Sequence, residues 1–201
     1  RLKYQPYKII VKKENWIYLN DKNEKSNVNL EDFSIISNNT KIKLEIAFII
    51  IHGSPGENGL IQSYFELKNI PYTGCDPYTS ALTFNKRDCL SVLEKYNIPT
   101  ANSFHINKNE NFKIESIIQK VGLPCFVKAN RSGSSFGVFK VYEENELKKS
   151  INKALDYDDE VLIESFLDGI EVSVGVMNYQ NKVKVFGITK IITENDFFDY
   201  D

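Results

Sequence analysis

Residues 125–138 read Cys-Phe-Val-Lys-Ala-Asn-Arg-Ser-Gly-Ser-Ser-Phe-Gly-Val, an apolar run that leads into a loop rich in glycine and serine. The run 125–128 has the composition of a buried strand, and the residues 138–142 predict a returning strand. The segment therefore predicts a β-hairpin whose loop is Arg131–Gly137. Lys128 places a positive charge at the end of the first strand, and the backbone N–H groups of such a loop can surround phosphate oxygens.

Phosphate binding is one of two interpretations of this hairpin. The order differs from a Walker A motif because the lysine precedes the loop, and it also differs from the dinucleotide pattern Gly-x-Gly-x-x-Gly. A hairpin rich in serine and glycine is, by itself, more often a plain turn. Lys128 is the feature that favours the phosphate interpretation.

A second glycine-rich loop follows another apolar run. Ile46–Ile51 is continuously apolar, which is typical of a parallel strand buried on both faces. The loop Gly53–Gly59 comes next, and Leu60–Leu67 has helical spacing. Ligands of open parallel sheets bind at the carboxyl ends of the strands, which makes His52 a candidate for ligand contact, although a lone histidine is more often structural. The loop does not match the dinucleotide pattern, and we reject that function.

The remaining pattern changes near residue 76, from parallel α/β before it to α+β with hairpins after it. The polar region 21–40 is predicted to contribute little regular core, and the strict alternation at 170–176 predicts a half-buried antiparallel strand. Asn85 is predicted to cap a helix that ends before Pro99. The other predicted elements are strands at 7–11, 15–19, 125–128, 138–142, 160–166 and 182–192, and helices at 77–84, 114–121 and around 147–155.

Composition excludes several classes of protein. The chain of 201 residues has 25 Lys and Arg against 27 Asp and Glu, a net charge of −2, which argues against a dedicated nucleic-acid binder. No apolar run approaches the roughly 18 residues of a membrane span. Three cysteines without a Cys-x-x-Cys pair argue against a disulfide scaffold and a structural zinc site, and a reducing cytoplasm fits best.

Three more charged residues are candidates for ligand binding. Lys86 begins a predicted helix, where the helix dipole disfavours a cation; it is either a solvated surface lysine or the partner of a bound anion. Glu164 and Glu171 flank an apolar connector that contains Phe166 and Leu167. They are either exposed strand-end glutamates or anchors around a flat heterocycle and a ribose.

Taken together, these stretches resemble the D-alanine–D-alanine ligase family of the ATP-grasp superfamily. The resemblance covers about residues 46–201. It is most specific in the run His-Gly-x-x-Gly-Glu-x-Gly-x-x-Gln at 52–62 and in Gly-Ser-Ser-x-Gly at 133–137 behind Lys128. It implies an α/β fold in three parts: an N-terminal parallel, Rossmann-like (pre-ATP-grasp) domain at 1–78, a central α+β ATP-grasp lobe at 79–166, and the incomplete start of a C-terminal lobe at 167–201.

The resemblance also implies an activity, in which ATP phosphorylates the carboxylate of one D-alanine and the amine of a second D-alanine attacks the acyl phosphate. Ser134 and His52 would lie at the amino-acid site. The implied ATP-binding residues are Lys86, Lys128, Ser134, Ser135, Glu164, Phe166, Leu167, Glu171 and Phe197. The family implies a homodimer, while the composition of the chain predicts a cytoplasmic protein with no nucleic-acid or membrane partner.

The sequence departs from the family pattern at a few positions. Asn58 and Asn85 stand where Asp is usual, Ala129 stands where Pro usually follows the lysine, and Ser165 replaces a position that is often basic. The family's Mg²⁺ ligands are expected beyond Asp201. We interpret both ends as incomplete and expect the chain alone to be inactive.

Two alternatives to this activity stay open on the sequence alone. The first is another ATP-grasp ligase that joins a carboxylate to an amine, or D-alanine to a hydroxy acid. The second is a non-catalytic nucleotide-binding domain.

Overall fold

The computed structural model describes residues 4–12 and 15–193, and its contacts divide the chain into two compact units. One unit comprises the described part of Arg1–Ile50 together with Ile61–Asp76, and the other comprises Ile51–Leu60 and the described part of Pro77–Asp201. No helix of the described residues is both long enough and apolar enough to span a membrane.

The first unit is built around small antiparallel sheets and one helix. Strands β1 (Lys8–Lys12), β2 (Asn15–Leu19) and β3 (Lys25–Asn27) form one sheet, and β4 (Ser34–Ser37) pairs with β5 (Thr40–Lys43). The helix α1 (Leu60–Leu67) buries Ile61 and Phe65, as its spacing predicts. Phe65 lies in an aromatic cluster with Trp16, Phe33 and Tyr64, whose rings meet at centroid distances between 4.9 and 6.3 Å.

Two expectations for this unit are wrong. The region 21–40 is not a coreless excursion: it supplies β3 and β4, and it buries Val28, Phe33 and Ile35. Three of its five apolar residues are buried, namely Val28, Phe33 and Ile35, and the average polarity of the stretch hides this core.

The run Ile46–Ile51 does not form the expected buried parallel strand. Its one ladder contact is a parallel bridge between Ala47 and Tyr72, and the side chains of Phe48 and Ile50 are 75% and 74% exposed. A strand buried on both faces needs partners along both edges and a layer on each face. Within the described residues it has one partner, and the expected parallel sheet is reduced to that bridge.

The second unit is centred on a four-stranded antiparallel sheet in the order β6, β9, β7, β8. These strands are β6 (Ser103–Asn107), β7 (Cys125–Ala129), β8 (Val138–Val141) and β9 (Glu160–Ser165). The sequence predicted all of them except β6, which is short and carries polar residues at three of its five positions.

The helices of this unit agree with the sequence. They are α2 (Pro77–Phe84), α3 (Lys86–Lys95), α4 (Ile114–Val121) and α5 (Glu144–Ala154). The side chain of Asn85 accepts a hydrogen bond from the backbone N–H of Asp88, which is the predicted cap of α3. The buried core lies between the sheet and the helices α4 and α5, and it includes Ile117, Val127, Leu147, Ile151 and Ile163.

The last hairpin differs from expectation in its burial. Strands β10 (Val172–Tyr179) and β11 (Lys182–Lys190) pair antiparallel, as predicted, but every residue of both strands is exposed. Alternation identifies which residues share a face. It does not supply the layer that would cover that face, and the described residues do not supply it either.

Replacing Ile151 tests the core. Because the side chain is fully buried between α5 and the sheet, Ile151→Ala should lower the free energy of unfolding by about 2–5 kcal/mol. Urea denaturation of the variant and the parent protein measures the difference. Ile188→Ala is the control: Ile188 is exposed on β11, and its loss should change stability by less than about 0.5 kcal/mol. Equal effects of the two substitutions would contradict the described core.

Candidate functional site

The sheet of the second unit has one face turned to the core and one face that carries charge. Cys125 and Val127 of β7 belong to the core, so the alternate residues Phe126 and Lys128 lie on the opposite face. Phe126 pairs with Glu164 of the neighbouring strand β9. Lys128 and Glu164 are therefore diagonal neighbours, and the Lys128 Nζ lies 2.6 Å from the Glu164 Oε2. This ion pair is largely sheltered, since the two side chains are 27% and 13% exposed.

Lys86 reaches the same region from another element. It is the first residue of α3, and its Nζ donates hydrogen bonds to the backbone carbonyls of Ala129, Asn130 and Ser132 at 3.1, 3.2 and 2.7 Å. The three carbonyls match the three protons of an ammonium group. Lys86 thus holds the first half of the glycine- and serine-rich loop against the N-terminus of α3.

The electrostatics of Lys86 show that the two lysines are close to each other. Burial, and after it the positive charge of Lys128, lower the pKa of Lys86 to about 8, although the carboxylates of Glu164 and Asp158 act in the opposite direction. Two cations on different elements therefore share one partly desolvated region. Such a region favours an anion that can lie beside both cations.

The loop Arg131–Gly137 is held at its start by a salt bridge. The Arg131 guanidinium and its backbone N–H both donate to the carboxylate of Asp158, each at 2.6 Å in the shortest contact. Burial alone would raise the pKa of Asp158, but the hydrogen bonds and charge of Arg131 keep it below its ordinary value. The Oγ of Ser132 donates to the carbonyl of Phe136 at 2.7 Å and closes the loop across its neck.

The tip of this loop is a β-turn across residues 133–136, in which the backbone N–H of Phe136 donates to the carbonyl of Gly133 at 3.1 Å. Its central residues, Ser134 and Ser135, have φ angles of +50° and +58°, as a type I′ turn requires, and Gly137 has a φ angle of +70°. Positive φ is uncommon for serine. Gly137 cannot carry a side chain here, because a Cβ would lie 2.9 Å from the Cβ of Ala129 and 3.0 Å from the ring of Tyr157.

The loop that carries His52 lies against the same turn. A Cβ added at Gly133 would lie 3.0 Å from the Glu57 Oε2 and 3.7 Å from the backbone of Gly53. Glu57 closes its own loop by accepting the N–H of Gly53 at 2.6 Å. His52 is exposed at the start of this loop. The structure therefore brings the two glycine-rich loops together, although 70 residues or more separate them in sequence.

The apolar connector after β9 lies beside the charged face. The ring of Phe166 is 6.3 Å from that of Phe126, and the Lys140 Nζ lies 4.5 Å from the centre of the Phe166 ring. The backbone N–H of Phe166 donates to the carbonyl of Pro124 at 3.2 Å. Leu167 is exposed.

One of the predicted site residues is not brought to Lys128, and another lies outside the described residues. Glu171 is exposed ahead of β10, where its carbonyl accepts the N–H of Ile191; among the described residues, no side-chain contact joins it to Glu164 or Lys128. Phe197 lies outside the described residues.

Sequence reasoning missed the residues that support this site. Asn130 is fully buried, and Glu160 is the partner of two arginines and a histidine. The sequence gives them no signal beyond polarity, since their partners come from separate elements. Lys140, which lies over three aromatic rings, was also missed.

The described residues do not supply a magnesium site. Among residues 4–12 and 15–193, no group of three or more Asp, Glu, His or Cys side chains is placed to hold a metal ion. Mg²⁺ bound with nucleotide phosphates needs carboxylate ligands. We therefore derive no chemical step through a metal from these residues.

Family models and curated relatives agree with one another. The model of the D-ala D-ala ligase N-terminus matches residues 2–75, and the model of the D-ala D-ala ligase C-terminus matches residues 92–201. A D-alanine–D-alanine ligase of Flavobacterium johnsoniae is 51% identical over the whole chain, and one of Phocaeicola vulgatus is 40% identical over 98% of it. The chain spans about 60% of the length of these relatives, 62% and 61% respectively.

Solved structures show the same likeness. The D-alanyl-alanine synthetase A of Vibrio cholerae superimposes with a TM-score of 0.82 at 29% identity, over 97% of this chain and 60% of that one. The VanG D-Ala:D-Ser ligase of Enterococcus faecalis superimposes with a TM-score of 0.78 at 30% identity, over 93% of this chain and 60% of that one. These likenesses confirm the predicted ATP-grasp fold class.

The lowered pKa of Lys86 predicts a pH dependence of stability. Lys86 titrates at about 8 in the folded chain and near 10.5 in the unfolded chain, so between these values the unfolded chain binds more protons. The free energy of unfolding should therefore gain a positive slope with pH across that window. Urea denaturation at pH 8, 9 and 10 measures it. In Lys86→Met this contribution should vanish, while in Lys12→Met, an exposed lysine on β1, it should persist. A Lys86→Met protein with the parent's pH profile would contradict the burial of this ammonium.

Proposed function

We propose that this chain, which belongs to the D-alanine–D-alanine ligase family, is the larger part of an ATP-dependent enzyme that joins two D-alanines. In this reaction the γ-phosphoryl group of ATP passes to the carboxylate of a first D-alanine and gives ADP and an acyl phosphate. The amine of a second D-alanine then attacks the acyl carbon and releases phosphate. The product, D-alanyl-D-alanine, is a precursor for peptidoglycan synthesis.

The observation that carries the proposal is the meeting of two lysines and a glycine- and serine-rich turn. Lys86 and Lys128 interact electrostatically in a sheltered region, and Lys86 is hydrogen-bonded to the base of the turn. A triphosphate carries several negative charges, and fixed cations together with backbone N–H groups offset them without reorganising water. Phosphoryl transfer needs mainly this positioning and charge neutralisation.

Each lysine has a partner that a nucleotide would replace or rearrange. Lys86 bonds the carbonyl of Ser132 at 2.7 Å, and a phosphate oxygen is a stronger acceptor for an ammonium than a peptide carbonyl. Lys128 is paired with Glu164. We infer that Lys128 turns to the phosphates when ATP binds, and that Glu164 is then available to an adenine amino group.

The remaining roles follow from family membership and from place in the fold. Ser134 and Ser135 would close over the phosphates, with Ser134 also near the first D-alanine, and His52 would line the amino-acid pocket from the adjacent loop. The backbone of Phe166 and Leu167 would meet the adenine; since the N–H of Phe166 is used by Pro124, Leu167 would supply the donor. Glu171 would bind the ribose and Phe197 would pack on the base.

The wider setting is also part of the proposal. Residues 79–166 would form the central ATP-grasp lobe and residues 167–201 the start of the next lobe. We expect the enzyme to work as a homodimer in the cytoplasm, where ATP is made and where three cysteines that form no disulfide stay reduced. Mg²⁺ would be held by carboxylates of the whole protein that lie beyond Asp201.

A second candidate substrate pair has one observation in its favour. The VanG D-Ala:D-Ser ligase matches this chain almost as well as the D-alanyl-alanine synthetase does. The alternative is therefore an enzyme that joins D-alanine to D-serine. The two activities share the nucleotide site and differ at the second amino acid.

Removal of Lys128 tests the nucleotide site. ATP should raise the melting temperature of the protein because it binds the folded state. In Lys128→Ala the rise should be much smaller at the same ATP concentration, because one of two cations is lost. Lys12→Ala removes an equal charge from an exposed position on β1 and should keep the full rise. Identical rises in both variants would remove Lys128 from the site.

Assay of the whole enzyme tests the reaction. The full-length protein, given ATP, Mg²⁺ and D-alanine, should release phosphate and form the D-alanine dipeptide, while L-alanine should not replace D-alanine. Addition of D-serine to D-alanine should not yield the mixed dipeptide as the main product. A folded full-length protein that releases no phosphate would contradict the proposed ligase, and a preference for D-serine would favour the second candidate.

A further inference from the structure

A buried cluster lies behind Lys86, away from the residues assigned to substrates. Its centre is Asn130, which follows β7 and is completely buried. The cluster also includes Asn85, Arg87 and Glu160. We name these four residues the Asn130 cluster. They come from the cap of α3, from α3 itself, from the start of the glycine- and serine-rich loop and from the start of β9.

Every polar group of Asn130 has a partner. The side-chain Nδ2 donates to the Asn85 Oδ1 at 2.8 Å and to the Glu160 Oε2 at 3.1 Å, and the Oδ1 accepts the backbone N–H of Arg87 at 2.8 Å. The backbone N–H donates to the carbonyl of Glu160 at 2.9 Å, and the backbone carbonyl accepts from Lys86. A carboxylate oxygen on one side and an N–H on the other fix which way the amide points.

Glu160 ties the cluster to the loop and to the sheet. Its Oε2 lies 2.7 Å from the Arg87 guanidinium and 3.2 Å from the Nε2 of His105. Its Oε1 lies 3.5 Å from the guanidinium of Arg131, the residue that starts the loop and is clamped by Asp158. A sheltered network in which every member is satisfied is rigid, and the removal of one member leaves the others unpaired.

We propose that Asn130 is a positioning residue, which fixes the N-terminus of α3 to the base of the 131–137 loop and so holds the Lys86 ammonium where it can meet phosphate. The inference rests on the proposed nucleotide site. No substrate contact is assigned to Asn130. It acts through the backbone carbonyls of Ala129, Asn130 and Ser132, which hold the Lys86 ammonium.

The physical argument is one of connected elements. In the described structure the Lys86 ammonium is bonded to the backbone carbonyls of Ala129, Asn130 and Ser132, so its position is no better defined than that of residues 129–132 relative to α3. The side chain of Asn130 joins these two segments through the cap residue Asn85 and the N–H of Arg87. Without that amide, the Lys86 ammonium should move into water. Nucleotide binding would then have to order both Lys86 and the loop, and the entropy lost in this ordering would weaken the affinity.

The titration of Lys86 in the nucleotide-free protein is a direct readout of its position. The charges that act on it are those of Lys128 on β7, Glu164 on β9 and Asp158 before β9. The pKa of about 8 comes first from burial. An ammonium released to water should titrate near its ordinary pKa. An NMR titration of the lysine ε-carbons, with the Lys86 signal assigned, therefore reports whether the three carbonyls still hold this ammonium.

The experiment compares Asn130→Ala with Asn107→Ala in the protein. In Asn130→Ala the Lys86 midpoint should rise by about two pH units, toward 10.5, and the affinity for ATP measured by calorimetry should fall about tenfold. Asn107 is the matched control, an asparagine at the end of β6 whose side chain bonds, among the described residues, only to Glu110 of its own turn. Asn107→Ala should leave both the midpoint and the affinity unchanged.

A second variant, Glu160→Gln, keeps the proposal testable if Asn130→Ala does not fold. Glu160→Gln keeps the size of the side chain and weakens the tie between Asn130 and Arg87. The carboxylates that act on Lys86 are those of Glu164 and Asp158, so Glu160→Gln removes neither, and a rise of the Lys86 midpoint in this variant reports the release of Lys86. Folded variants that keep the Lys86 midpoint near 8 and bind ATP as the parent does would overturn the proposal. A parent protein that binds no ATP would instead overturn the proposed function, while the Lys86 midpoints would still decide the role of Asn130.

Discussion

The three hydrogen bonds from the Lys86 ammonium to the carbonyls of Ala129, Asn130 and Ser132 are the contact on which the rest of the site depends. They join the first residue of α3 to the end of β7 and to the loop that follows it. They also place a cation at a helix N-terminus, where the dipole opposes it, and beside a second cation. Both the helix dipole and the charge of Lys128 disfavour the Lys86 cation, so this arrangement is stable only because other interactions offset them. Unfavourable local arrangements of this kind are concentrated at functional sites.

The surrounding structure holds it through charge balance and through backbone geometry. Glu164 partly neutralises Lys128, and Asp158 partly neutralises Arg131. The loop itself keeps Ser134 and Ser135 at positive φ, a conformation that costs of the order of 1 kcal/mol per non-glycine residue. Interactions at the neck of the loop fix both ends of that strained turn, and Gly137 supplies the close contact with Ala129 that a larger residue would prevent. The conformation of the turn is therefore fixed before any anion arrives, and little conformational entropy is left to lose on binding.

The parts predicted correctly are those that short-range chemistry determines. The cap by Asn85, the helix at 114–121 with its apolar period, and the hairpin around the glycine- and serine-rich loop each depend on residues within one or two turns of chain. The errors have the opposite origin. Ile46–Ile51 has the composition of a central strand, but burial on both faces is a property of its neighbours, and the described unit provides only one. The prediction for the polar stretch at 21–40 was wrong for a related reason, since Phe33 packs against Trp16 and against Phe65 of α1, and no local pattern reveals these partners.

The residues of the site also fall into those that local sequence reveals and those that depend on distant partners. Lys128, Ser134 and Ser135 lie in a motif that can be recognised from the sequence. Lys86 was a candidate because the helix dipole disfavours a cation at the start of a helix. No sequence pattern identifies Asn130, because an asparagine in a loop is ordinary. Its role depends on hydrogen bonds with Asn85, Arg87 and Glu160, which lie 30 to 45 residues away on other elements. A ligand-contacting residue must carry a distinctive chemical group, whereas a residue that positions another needs only hydrogen-bonding capacity and burial. Motifs therefore reveal the groups that touch phosphate, and only the packed structure reveals what holds those groups in place.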